Sequence, residues 1–64
     1  MSIHENLKKA RKDAGLTQKE LAECLNVYQK DISRWENGER TPSLEMFAKI
    51  CAELDVSADE ILEL

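Results

Sequence analysis

The chain is expected to fold as an all-α domain of five short helices. Three observations predict this. Apolar residues recur at three- and four-residue intervals and do not alternate as strands require. The pattern Ser/Thr-x-x-Glu occurs at Ser2, Thr17 and Ser57, each time ahead of such a stretch. Gly15, Asn26 and the pair Asn37-Gly38 stand where helices should stop. Length bounds the rest. Sixty-four residues, 42% of them hydrophobic, make one small domain covering residues 1–64. Such a domain buries only roughly 60% of the surface its unfolded chain exposes. A deep catalytic cleft would use most of that core. No Ser/His/Asp, Cys/His or paired-carboxylate set is placed to converge, so an enzyme is not expected.

The first helix should run from about Ile3 to Ala14. Ile3, Leu7, Ala10 and Ala14 form its apolar stripe, and Lys8, Lys9 and Lys12 lie on the other face, with Arg11 in the same basic stretch. The second begins at Thr17, carries Leu21, Ala22 and Leu25, and closes at Asn26, a residue that tolerates the left-handed conformation. The third covers about Tyr28 to Glu36, with Ile32, Trp35 and Glu36 on one side. The fourth covers about Leu44 to Leu54, and its stripe reads Leu44, Phe47, Ala48, Cys51 and Leu54. The fifth is short, begins at Ser57 and carries Ile61, Leu62 and Leu64.

The informative stretch is residues 17–36. Only Asn26-Val27 joins the second and third helices, so they must cross steeply, with Val27 plugging the corner. This is the form of a helix-turn-helix, whose second helix enters the DNA major groove. Advancing about 100° per residue places Lys30 and Arg34 opposite the inward side, with Ser33 on a flank and Gln29 near the helix start. Gln can pair with adenine at two points, and Lys or Arg with guanine. Polar residues on a helix exterior are equally what an ordinary solvated surface presents.

A wider pattern decides between these readings. Leu16-Thr17-Gln18-Lys19-Glu20-Leu21-Ala22-Glu23, Leu25-Asn26-Val27, Ile32-Ser33-Arg34-Trp35-Glu36-Asn37-Gly38 and Pro42-Ser43-Leu44 together resemble the Cro/repressor (XRE) family of DNA-binding regulators. The resemblance implies a five-helix, lambda-repressor-like domain that binds operator DNA as a homodimer without a cofactor. It assigns base contacts to Gln29, Lys30 and Arg34. Phosphate contacts fall to Gln18, Tyr28, Ser33, Asn37, the Gly38 amide and Arg40. Phosphate contacts set register and base contacts set sequence preference. The resemblance also pairs Glu36 with Arg11 in a structural ion pair tying the first helix to the third.

Three positions depart from, or complicate, the family pattern. Tyr28 stands where Ser or Thr is usual, and Tyr cannot cap a helix in that way. Its phenol has two readings, a contact to phosphate or base and packing against the turn. Asn26 replaces a Gly. Asp31 lies beside the reading face, where it could accept from cytosine or disfavour other sequences.

The remaining residues are read more plainly. His4 is expected to face solvent, Cys51 to be a small core residue, Cys24 to be exposed, and Trp35 to pack in or near the core. The cysteines suggest neither disulfide nor metal site, and the N-terminus has no signal-peptide pattern, so a cytoplasmic protein is expected. No apolar run approaches the ~20 residues of a membrane span. Val56, Ile61, Leu62 and Leu64 exceed what so small a domain should bury. With their acidic rim they are read as a dimer contact formed by residues 57–64.

The net charge of −4 argues against DNA until it is divided. Residues 1–40 carry eight Lys/Arg and seven Asp/Glu, whereas residues 41–64 carry one and six. The acidity therefore belongs to the last two helices. Together these readings point to a regulator, a repressor in first expectation, on an inverted-repeat operator. With no further domain expected, control would come from concentration, DNA occupancy or a regulatory protein partner. The competing reading is a protein-interaction module, such as an antitoxin or adaptor, because fold does not fix function.

Overall fold

Hydroxyl side chains set where four of the helices begin. Ser2, Thr17, Ser43 and Ser57 each accept the backbone N–H three residues on, at Glu5, Glu20, Met46 and Glu60. The first turn of a helix has no internal partner for these N–H groups, so each bond removes an unpaired donor. At Thr17 the exchange is reciprocal, because Glu20 Oε1 accepts from the Thr17 N–H at 2.9 Å. That backbone N–H, and after it the Thr17 hydroxyl beside the carboxylate, hold the Glu20 carboxyl below its ordinary range.

The computed structural model describes residues 2–63. It contains α1 (Ile3–Asp13), α2 (Gln18–Leu25), α3 (Gln29–Asn37), α4 (Leu44–Leu54) and α5 (Ala58–Leu62), with no strand among the described residues. Left-handed residues end most of the helices: Asn26 after α2, Gly38 after α3, Asp55 after α4 and Glu63 after α5. α1 ends at Ala14, and Gly15 then takes the left-handed turn.

One core collects a contribution from every helix. Leu7 and Ala10 meet Leu21, Ala22 and Leu25, Ile32, Ile50 and Leu54, and Ile61. Val27 packs at its edge, at the corner between α2 and α3, and Trp35 also lies against it. α2 and α3 pack on one another, α1 lies against α3 and α5, and α4 closes against α2.

Several expectations need correction. Ile61 is only 2% exposed, and Val56 is half-buried against the core. Ile61 is not free for a dimer contact, because the short α5 folds back onto α1 and spends its apolar side there. Leu62 is at the surface, and Leu64 lies outside the described residues. The stripe of α1 is also displaced. Ile3 and Ala14 are exposed, while Asn6 and Arg11 are buried with Leu7 and Ala10. In α4 the buried side is Ile50 and Leu54, with Met46 beside them. Leu44 is 85% exposed and Ala48 is exposed. Phe47 and Cys51 are half-buried between the two sides, so α4 is apolar both inward and outward.

Asn6 gives the fold a polar clasp that hydrophobic patterning could not reveal. Its Nδ2 donates to the Ile61 carbonyl at 2.8 Å, pairing one of the carbonyls that a helix end leaves open. Asn6→Ala should therefore cost about 1–3 kcal/mol, the penalty for a buried polar group left unpaired. Urea denaturation measures this. A variant as stable as the parent would mean that water replaces the amide at no cost.

Candidate nucleic-acid interface

The third helix owes its placement to a charge pair. Arg11 and Glu36 are both buried, their side chains only 8% and 2% exposed. Arg11 Nε donates to Glu36 Oε2 at 2.6 Å, and Nη2 to Oε1 at 3.0 Å. This is the two-point fork for which Arg is suited and Lys is not. Nη1 donates to the Leu16 carbonyl at 2.8 Å. Gln18 Nε2 adds a further bond to Glu36 Oε1 at 3.1 Å. The network spans α1, the α1–α2 turn, the start of α2 and the C-terminal half of α3. Among the described residues no buried side-chain polar atom lacks a partner.

Turning Glu36 inward settles the electrostatics of the opposite face. Its carboxylate is neutralised beneath the surface. Gln18, Gln29, Lys30, Ser33 and Arg34 line one open concave surface of about 460 Å³. The three expected base-reading residues and two of the expected phosphate ligands are thus brought together. Gln18 is half-buried, and part of its amide is engaged with Glu36. It sits at the first position of α2, where unpaired backbone N–H groups favour an anion. Asn37 Nδ2 donates to Ser33 Oγ at 3.3 Å, so these two share the rim. Glu39 lines the same surface, an acidic neighbour that the sequence reading left out.

The loop after α3 is shaped by a second contact with α1. Gly38 has φ +79°, a conformation that side-chain-bearing residues rarely adopt. A Cβ there would also lie 2.9 Å from His4 Cε1. His4 is therefore not simply solvent-facing: its half-buried ring rests on Gly38. Gly38, Arg40 and His4 border a common hollow with Trp35 and Pro42.

At the start of α3, Tyr28 is 73% exposed, which excludes burial in the turn. Its side chain makes no cap hydrogen bond. Asp31 does that work from the other direction, accepting from the Tyr28 N–H at 3.2 Å. Of the readings open for Asp31, its observed bond is this local one. Neither cysteine is poised as a thiolate. The Glu53 carboxylate bonded to the Cys24 thiol pushes its pKa up, and burial pushes Cys51 up. No cluster of His, Cys, Asp and Glu suited to a metal occurs among the described residues, and none of their helices is long and apolar enough to cross a membrane.

The buried pair generates a sharp expectation. Glu36→Ala or Arg11→Ala alone should cost about 3–5 kcal/mol, because each leaves an uncompensated buried charge. That is comparable to the whole margin of a domain this small. Arg11→Met with Glu36→Leu should recover much of the loss. Thermal melts followed by circular dichroism decide the matter, and unchanged melting in both single variants would reduce the pair to a surface contact.

Comparison with known proteins agrees with this geometry. The family model described as Helix-turn-helix matches residues 7–61. The HTH-type transcriptional regulator ImmR of Bacillus subtilis (strain 168) is 40% identical over 97% of the chain and 49% of its own length. The antitoxin PezA of Streptococcus pneumoniae serotype 4 is 37% identical over 94% of the chain and 38% of its own length. The chain thus spans about half the length, or less, of these relatives. A crystal structure of SinR, described as a master regulator for biofilm formation in complex with DNA, superposes with a TM-score of 0.84 at 35% identity. That match covers 92% of this chain and 95% of the SinR chain. From its buried Arg11–Glu36 pair to its matched length, the chain belongs to the helix-turn-helix family of Cro/repressor (XRE) type.

Proposed function

We propose that the chain is a sequence-specific DNA-binding module of a transcriptional regulator, with α3 as the helix that enters the major groove. One observation carries the reading. The outward face of α3 gathers Gln29, Lys30, Ser33 and Arg34 on one concave surface while its Glu36 is buried and paired. Gln29, Lys30 and Arg34 read bases. Gln18, Tyr28, Ser33, Asn37, the Gly38 amide and Arg40 hold phosphates. The module needs no cofactor and works in the cytoplasm, where it meets DNA. Repression by obstructing polymerase is the simplest outcome of occupancy.

The module acts as a homodimer on an inverted repeat, its two recognition helices about one DNA turn, roughly 34 Å, apart. Support for this comes from an apolar hollow of about 610 Å³ bordered by Ile3, Leu44, Phe47, Cys51 and Leu62. Ile3, Leu44 and Leu62 are among its exposed large hydrophobic residues, Leu44 the most of all at 85%. The contact face thus moves from Val56, α5 and the tail to the outward side of α4, with Leu62 retained. The surrounding acidity of residues 41–64 opposes self-association, so added salt should strengthen the dimer.

A second reading, an antitoxin or adaptor that holds another protein, draws on the similarity to PezA and on the same apolar face. DNA selectivity separates the two. Replacing Gln29, Lys30 and Arg34 together by Ala should abolish site preference in a selection from random oligonucleotides, with melting unchanged. A parent chain without preference would favour the protein-binding reading. Leu44→Lys should convert dimer to monomer in sedimentation experiments without lowering stability. A parent that stays monomeric at micromolar concentration and on DNA would remove the dimer.

A further inference from the structure

Position 28 is where α3 differs from the other helices. Each of them begins at a hydroxyl residue whose oxygen caps the first turn, as Ser2, Thr17, Ser43 and Ser57 do. α3 begins at Tyr28, whose side chain caps nothing. Asp31 supplies only the returning half of the exchange, by accepting from the Tyr28 N–H. The cap from residue 28 is therefore given up, and a large ring stands at the surface in its place. That ring is not idle. Lys30 Nζ lies over it, 5.5 Å from the centroid, within the range at which an ammonium is attracted to an aromatic face. Lys30 is exposed and has no other bond among the described residues, so the ring is what directs it. Lys30 is also a wall of the concave surface on α3.

We infer that Tyr28 is a positioning residue for base preference. Its ring holds the Lys30 ammonium at the N-terminal edge of the recognition surface, aimed at the acceptor atoms of a guanine in the major groove. A lysine on a four-carbon stem otherwise samples many directions and discriminates poorly. The phenol hydroxyl plays no part in this; the aromatic face does. The inference rests on the DNA-binding reading and adds to it a determinant outside the base-contacting set.

Three variants test it: Tyr28→Ser, Tyr28→Phe and Lys30→Ala. In the free protein, the Lys30 side-chain methylene protons should show an upfield ring-current shift by NMR. The shift should survive in Tyr28→Phe and vanish in Tyr28→Ser. Tyr28→Ser restores a capping hydroxyl, so it should melt no lower than the parent. In selection from random DNA, Tyr28→Ser should lose about threefold in preference for guanine at one position per half-site, in keeping with an exposed cation–aromatic contact. Lys30→Ala should lose preference at that same position, and the double variant should lose no more than Lys30→Ala alone. Tyr28→Phe should keep the parent's base preference, while the loss of its phosphate-holding phenol lowers affinity for all sequences alike. A selective parent whose preference is unchanged in Tyr28→Ser overturns the inference and leaves the DNA reading standing. Uniform weakening in Tyr28→Ser, equal to that in Tyr28→Phe and with preference intact, also overturns it and leaves Tyr28 a phosphate contact alone. A parent with no base preference at all overturns the DNA reading, and the inference falls with it.

Discussion

A buried charge pair organises this molecule. Arg11 and Glu36 sit where α1, the α1–α2 turn and α3 meet, and their hydrogen bonds tie these to one another and to the start of α2. The cost of removing two charges from water is high, and it is tolerable here because the pairing is bidentate and the third guanidinium nitrogen donates to a carbonyl. The pair has a second effect of equal weight. It takes a carboxylate out of the field that a polyanion would meet and leaves the donors of α3 facing outward. Placement of the helix and electrostatics of its surface are thus consequences of one contact.

Charge is also divided at the scale of the whole chain. Nearly all the basic residues precede position 41, and nearly half the acidic residues follow it on or beside two helices. The excess acidity does not belong to α3. It lies in the stretch that carries α4 and α5, which also supplies most of the apolar hollow. A small domain that separates its polar and apolar surfaces in this way can present two partners without their competing for the same residues.

Much of the fold was legible because its signals are local. A hydroxyl followed by Glu, an Asn or Gly in a left-handed position and a three-to-four periodicity act within a turn or two of helix, and each located an element to within a residue or so. The helix-turn-helix was legible for the same reason, since two residues between helices leave few geometries. The α4 stripe misled because both of its sides are apolar, and periodicity alone does not say which one the core takes. Ile61 was misplaced because a rough limit on core size said nothing about α5 folding onto α1. Asn6 was missed because its partner is a carbonyl 55 positions away in the sequence. At the candidate surface, Gln29, Lys30 and Arg34 were legible from the wheel and the resemblance together. The bond from Gln18 to Glu36 and the contact of His4 with Gly38 belong to tertiary packing and left no trace in spacing.

α1 touches the third helix and its cap at two places, through Arg11 at Glu36 and through His4 at Gly38. One point of contact is a pivot, and two on the same rigid rod define an axis. α3 cannot swivel about the ion pair without lifting the imidazole from the glycine. The orientation of α3 is therefore built into the frame and is not left to the turn at Asn26 alone. A frame this stiff leaves little room for the protein to accommodate an imperfect site. On the DNA-binding reading proposed above, that accommodation would pass to the DNA, and the bending or groove width that a given sequence permits would become part of what is recognised.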